Sequence, residues 1–192
     1  MADPVQLIVG LGNPGERYAG TRHNAGFWFL DELIRRHGGL FRFEGKFFGE
    51  AARTTVDGRD VHLLKPMTFM NRSGQSVAAL ARFFKLPVAS VLLAHDELDL
   101  SPGMVRLKRG GGHGGHNGLR DTERVLGSRE YLRLRIGIGH PGDAALVTPW
   151  VLGRPAADDR IAIEQAIDRA VDAMPQLIAG ELERVMNALH SR

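Results

Sequence analysis

The sequence contains no cysteine. Disulfides, thiolate metal sites and a cysteine nucleophile are therefore excluded, and a reducing, cytoplasmic location is expected. Long apolar runs are absent as well. None reaches the roughly 18 residues that a membrane-spanning helix needs. The start, MADPVQLIV, lacks a basic n-region and its apolar run breaks at Gly10, so no signal peptide is expected. Neither G-x-S-x-G nor S-x-x-K occurs, which leaves no marked activated serine. Repeats, low-complexity tracts and linkers are missing too. Net charge is small, +3, although the pI is 9.7 and arginines cluster locally. A polyanionic partner is allowed by this balance but not demanded.

What remains is ordinary globular composition, 43% hydrophobic and 24% charged. A chain of 192 residues can bury one sizeable core. A single domain over residues 1–192 is expected.

The apolar run Val5, Leu7, Ile8, Val9 stops at a Gly/Pro turn, Gly10 to Gly15. A polar segment with Tyr18 and His23-Asn24 follows, and apolar residues at Phe27, Leu30, Leu33 and Ile34 then mark a helix from Asn24 to His37. Segments 47–56 and 59–65 flank Asp57-Gly58, a strong hairpin signal. An irregular stretch, Pro66 to Gly74, leads into a helix with Val77, Leu80, Ala81 and Phe84 on one face. Val91 to Ala94 reads as a buried strand running into His95-Asp96-Glu97-Leu98-Asp99. Met104 to Lys108 is a further short strand.

A glycine loop, Gly110 to Gly118, precedes a helix over about 119–126. Tyr131 to Gly139 alternates as a strand, with Arg133 and Arg135 on one face. Residues 144–155 read as loop. Two closing helices are expected, one from Asp158 and a second beginning at Pro175. The sum is an α/β fold: one three-layer α/β/α domain around a twisted mixed sheet.

Gly10-x-Gly12-x-x-Gly15 matches the dinucleotide fingerprint formally. That fingerprint needs a helix N-terminus at its last glycine, whereas here the helix is expected only near residue 24. A tight turn shaping a site is the better reading. His23 is suited to proton transfer near neutral pH, although a lone histidine before a helix is more often a polar cap. Asp96, at the end of a buried strand, could accept from one imidazole nitrogen and leave the other free as a base. Glu97 and Asp99 compete for that role.

His113-x-x-His116 with His95 hints at a metal, but glycines surround the pair and no third ligand has a recognised spacing. Six glycines in nine residues fit close approach of a ligand to backbone better. Asn13, Asn71 and Asn117 each follow an apolar segment. Asparagine is common in turns, so any one alone is turn chemistry; three together with His23 and Asp96 favour a site that holds amide backbone. Hydrolysis, if this is the chemistry, would use water activated by His23.

The segments GLGNPGERYAGTRHNAG, KPMTFMNRSG, AHDELDL, GGGHGGHNGL and RLRIGIGHPG, in that order, closely resemble bacterial peptidyl-tRNA hydrolases. The likeness runs from about Val5 into the C-terminal helices. It implies hydrolysis of the ester joining a peptide to the 3′ ribose of tRNA, which recycles the tRNA. It implies His23 as general base, Asp96 as its orienting partner and Asn13 as the group that distinguishes N-blocked from free aminoacyl-tRNA. Asn71 and Asn117 match substrate-holding amides, with Phe69, Met70 and His116 beside them. Tyr18 matches a tRNA contact, and Lys108 and Arg135 match cations that clamp the tRNA 5′-phosphate. Residues 144–155 resemble a mobile lid. The resemblance implies peptidyl-tRNA as partner, a monomer, and neither metal nor organic cofactor. A non-catalytic tRNA-binding module and a nucleotide-dependent oxidoreductase are the competing readings.

Overall fold

The computed structural model describes residues 4–191; the expectation drawn from the first residues, Met1 to Asp3, lies outside them. Seven strands form one sheet in the order β2-β3-β4-β1-β5-β7-β6. They are β1 (Leu7–Gly10), β2 (Arg42–Glu44), β3 (Gly49–Val56), β4 (Arg59–Pro66), β5 (Val91–Glu97), β6 (Val105–Arg109) and β7 (Leu132–Gly137). The central four, β4, β1, β5 and β7, are parallel, while β2, β3 and β6 make antiparallel pairs.

Every residue of β1 is buried, as a parallel strand covered on both faces requires. Its side chains divide between two cores. Ile8 packs with α2 (Ala25–His37), α6 (Ala157–Ile178) and α7 (Leu182–His190). Leu7 and Val9 pack with α3 (Ser73–Phe83) and α4 (Asn117–Leu126). This is the expected three-layer arrangement with a mixed sheet. At the Asp57-Gly58 turn both residues have positive φ, 49° and 77°, which matches the twist of the β3–β4 hairpin.

Several local expectations need correction. A single helical turn, α1 (Glu16–Ala19), follows Gly15, so a helix does begin at the last glycine of the GxGxxG string. One turn aligns too few peptide dipoles to hold a pyrophosphate as the fingerprint requires. The first glycine instead serves packing: a Cβ at Gly10 would lie 2.3 Å from the carbonyl oxygen of Gly26 in α2. Residues 144–155 are partly helical, with a 3-10 turn at Ala144–Leu146 and α5 at Val147–Val151. The Trp150 indole donating to Gly139 and the Arg22 guanidinium lying on that ring anchor this segment, which has little apolar periodicity to announce it.

Pro175 does not start a helix; it lies inside α6. A mid-helix proline costs about 3 kcal/mol, but the buried stripe continues past it through Leu177 and Ile178. Burying those two side chains returns roughly 1.5–3 kcal/mol each, enough to carry the helix through. Among the described residues no helix is long and apolar enough to cross a membrane.

Candidate active site

The C-terminal ends of the parallel strands share one edge of the sheet. Strands β4 and β5 flank β1 on opposite sides, which makes the end of β1 a switch point where a crevice forms. The turn after β1 delivers Asn13, Tyr18 and His23, the turn after β4 delivers Phe69 to Asn71, and β5 itself carries Asp96. Asn117 and His116 arrive differently. Strand β6 is antiparallel, and its last residue, Arg109, pairs with Leu132 at the start of β7. The glycine loop must therefore run back along the sheet to reach this edge.

His23 sits on a 3-10 turn, Arg22–Asn24, that enters α2. Its Nδ1 lies 2.8 Å from Oδ2 of Asp96, and its Nε2 has no hydrogen-bond partner among the described residues. The other carboxylate oxygen, Oδ1, is 2.8 Å from Nε2 of His116. His116 Nδ1 accepts from the backbone N–H groups of Gly118 and Leu119, capping α4. An accepting Nδ1 means that the proton is on Nε2, so His116 donates to Asp96. Asp96 thus binds two imidazoles, one on each oxygen. Glu97 and Asp99 are not partners of His23: Glu97 pairs with Arg135 at 2.8 Å, and the Asp99 backbone N–H points toward Glu97.

This geometry sets the protonation balance. Burial, the largest influence on His23, disfavours the imidazolium, but the charge of Asp96 and its hydrogen bond outweigh it and raise the pKa above 6.5. Burial also opposes charge on Asp96; the two imidazoles overcome it and hold the carboxyl far below the usual carboxylate range. His95 is fully enclosed, and burial, then His116 and Arg133, push its pKa well below 6.5. Its Nδ1–H donates to the Asp96 carbonyl oxygen at 2.8 Å, and its Nε2 accepts from Arg133 at 3.2 Å. His95 stays neutral.

Asn13 is buried and fixed by both backbone and side chain. Asn24 grips its backbone twice, accepting from its N–H and donating to its C=O, both at 2.9 Å. Asn13 Oδ1 accepts from the Met70 backbone N–H at 2.7 Å. With the oxygen spent, the amide Nδ2 is the group left to face a ligand. Phe69, just before Met70, holds φ 62° and ψ 154°, a region that side chains avoid at a cost of order 1–3 kcal/mol. Its ring is half exposed and edge-on to Tyr18, with centroids 6.3 Å apart.

Two clefts meet at His23. The smaller, about 380 Å³, is lined by Asn13, Tyr18, Phe69, Met70, Asn71 and Asn117. The larger, about 460 Å³, is lined by Asp96, Lys108, His116, Arg135 and the glycine loop. Asn117, Thr148 and Val151 border both, so α5 roofs the junction. Asn13, Tyr18, His23, Phe69, Met70, Asn71, Asp96, Lys108, His116, Asn117 and Arg135, the candidate site residues read from the sequence, all lie on one cleft or the other. Lys108 is exposed and makes no ion pair among the described residues, whereas Arg135 is tied to Glu97.

His23, Asp96 and His116 place ligand-type atoms within 4.8 Å of one another. His23 Nδ1 and His116 Nε2 are each hydrogen-bonded to one oxygen of Asp96, which links the trio into a chain that orders protons. His113 is apart from it; its Nδ1 accepts from Gly115. Sequence reasoning missed the structural work of Asn24, His95 and Arg133. The adjacency of Asn24 to His23 was a signal for the first. Nothing local marked the other two: Arg133 meets His95, Gly110 and Gly112 across separations of 21 to 38 residues.

The model of the family described as peptidyl-tRNA hydrolase matches residues 7–192. A peptidyl-tRNA hydrolase of Halorhodospira halophila is 59% identical over 186 residues, 97% of this chain and 96% of that protein. One of Neisseria meningitidis is 52% identical over the whole of both chains. The crystal structure of peptidyl-tRNA hydrolase from Acinetobacter baumannii superposes with a TM-score of 0.94 at 48% identity, covering 96% of this chain and 94% of that one. By fold, by the segments around the two clefts and by these relatives, the chain belongs to the peptidyl-tRNA hydrolase family.

Proposed function

We propose that this chain hydrolyses the ester between a peptide and the 3′ end of tRNA with a water molecule activated by His23. The observation that carries the reading is the free Nε2 of His23 at the junction of the clefts, with Nδ1 anchored to Asp96. Nε2 takes a proton from water as the water oxygen attacks the ester carbonyl. The tetrahedral intermediate collapses, the ribose oxygen leaves, and the imidazolium returns the proton to it. The products are a peptide carboxylate and tRNA with a free 3′-end hydroxyl. Asp96 orients the ring and stabilises its charged form.

The uncharged cleft takes the peptide. Asn13 Nδ2 donates to the carbonyl of an N-blocked residue and offers nothing to a free ammonium. Asn71 and Asn117 hold the substrate's amide backbone, with Phe69 and Met70 beside them, and Tyr18 at the rim contacts the tRNA. The charged cleft takes the tRNA end, where Lys108 and Arg135 meet phosphate. The chain acts as a single-domain monomer without metal or organic cofactor. It works in the cytoplasm, where its substrate is made, and its lack of cysteine fits a reducing compartment.

Incubation with N-acetyl-aminoacyl-tRNA and with unblocked aminoacyl-tRNA tests this reading. Release from the first and not the second is expected. Equal release from both would refute the role of Asn13, and tRNA binding without release would make the chain a binding module.

A further inference from the structure

The glycine loop has a problem that its own sequence cannot solve. Gly110, Gly111, Gly114 and Gly115 all hold positive φ, so the conformation depends on glycine, and glycine brings the largest conformational freedom to be lost. The loop must nevertheless return His116 to within 2.8 Å of Asp96. Its anchor is a buried guanidinium. Arg133 is 4% exposed, and its Nη1 donates to the carbonyl oxygens of Gly110 at 3.3 Å and Gly112 at 3.0 Å. Its Nε donates to His95 Nε2 at 3.2 Å, and Nη2 lies 3.8 Å from Glu97.

We infer that Arg133 is a positioning residue for the reaction: it fixes the glycine loop and, through His95, the backbone of Asp96, so that His116 reaches one carboxylate oxygen while His23 keeps the other. The inference rests on the reading of His23 as the base. Arg133 touches no reacting atom; it acts through the two histidines. Its planar fork is what the site uses, since one side chain serves His95 in one direction and two carbonyls in another. A lysine ammonium keeps the charge but cannot span those partners.

Besides Asp96, His95 and His116, the charged or titratable groups on the cleft beside His23 are Glu97, Asp99, Lys108, His113, Arg135 and His140. Arg133→Lys leaves all of these charges in place. A change in His23 titration would then report lost hydrogen-bond geometry. Without the His116 donor, Asp96 carries its charge less well satisfied and binds the His23 imidazolium more tightly, which raises the His23 pKa.

Nitrogen-15 NMR of the histidine rings tests the inference without any substrate. The native chain is expected to show His95 protonated on Nδ1 and His116 on Nε2. In Arg133→Lys and Arg133→Met, His116 should lose that fixed tautomer. The acid limb of kcat/KM should move to higher pH, and kcat should fall roughly 10- to 100-fold with KM little changed. Different tautomers in the native chain would overturn the inference. So would variants, folded at the assay temperature, in which neither the His116 signal nor the acid limb moves, even if their melting temperature drops. Failure of the native chain to release peptide would instead strike at the function itself.

Discussion

The two clefts that meet at His23 differ in how they achieve recognition. The smaller one carries three amides: Asn13 is buried and locked by Met70 and Asn24, whereas Asn71 and Asn117 are exposed. The larger is charged. Lys108, Arg133 and Arg135 line it from one face of the β6–β7 pair, since opposed residues of antiparallel strands point the same way. Under the proposed function the first cleft distinguishes a carbonyl from an ammonium, a matter of one hydrogen bond, and the fixed Asn13 suits that task. Under the same proposal the second seats a polyanion, which charge does without fine geometry. His23 belongs to both, and placing the ester there requires that each cleft hold its own end of the substrate.

Substitutions can separate these roles. The largest effect is expected at the junction. His23→Ala should lower kcat by about 10² to 10⁴, the usual worth of general-base assistance, while tRNA affinity stays measurable. Near-normal turnover would remove His23 from the mechanism.

In the neutral cleft, Asn13→Asp keeps an oxygen for the Met70 N–H but turns the ligand-facing donor into a charged acceptor. The preference for N-acetyl-aminoacyl-tRNA over the unblocked form should fall by roughly 10- to 100-fold, matching a hydrogen bond of about 1.5–3 kcal/mol. An unchanged ratio of kcat/KM values would assign the discrimination elsewhere. Asn13→Ala is a poorer probe, because it orphans the buried Met70 N–H.

Charge removal should have the smallest effect. Lys108→Ala should weaken tRNA binding and reduce the salt slope by about 0.7 to 0.9, one phosphate contact, with discrimination untouched. Arg135→Ala should weaken binding further, because it also releases the Glu97 carboxylate into the cleft. A Lys108 variant with the native salt slope would contradict the assignment of phosphate to this side.

The fold and most of the site were legible in the sequence, for reasons that differ by element. β1, β5 and the β3–β4 hairpin declare themselves through apolar runs and one Asp-Gly turn, all local signals. The association of His23 with Asp96 could be proposed from strand ends, but the choice over Glu97 depends on which way each side chain leaves β5, and Asp99 lies in the turn beyond that strand. Alternation along the strand sends neighbours to opposite faces, and the register that fixes those faces comes from β7.

What sequence hid were long-range tethers. Helix α5 exists because Arg22 and Gly139 hold Trp150, and α6 passes through Pro175 because its apolar stripe is buried beyond it. The return of the glycine loop follows from the antiparallel direction of β6, which no local pattern gives.

The central claim is that Asp96 tunes His23 at the junction, and the pH dependence of kcat/KM for native chain and Asp96→Asn tests it most directly. His23 must be neutral to act, so activity should rise with pH through its pKa, with the acid limb of the native chain above pH 6.5. Asp96→Asn removes the charge that raises this pKa and leaves burial to lower it. The predicted result is a limb that moves to lower pH together with a large loss of kcat. A variant whose acid limb stays where the native one lies would contradict the claim.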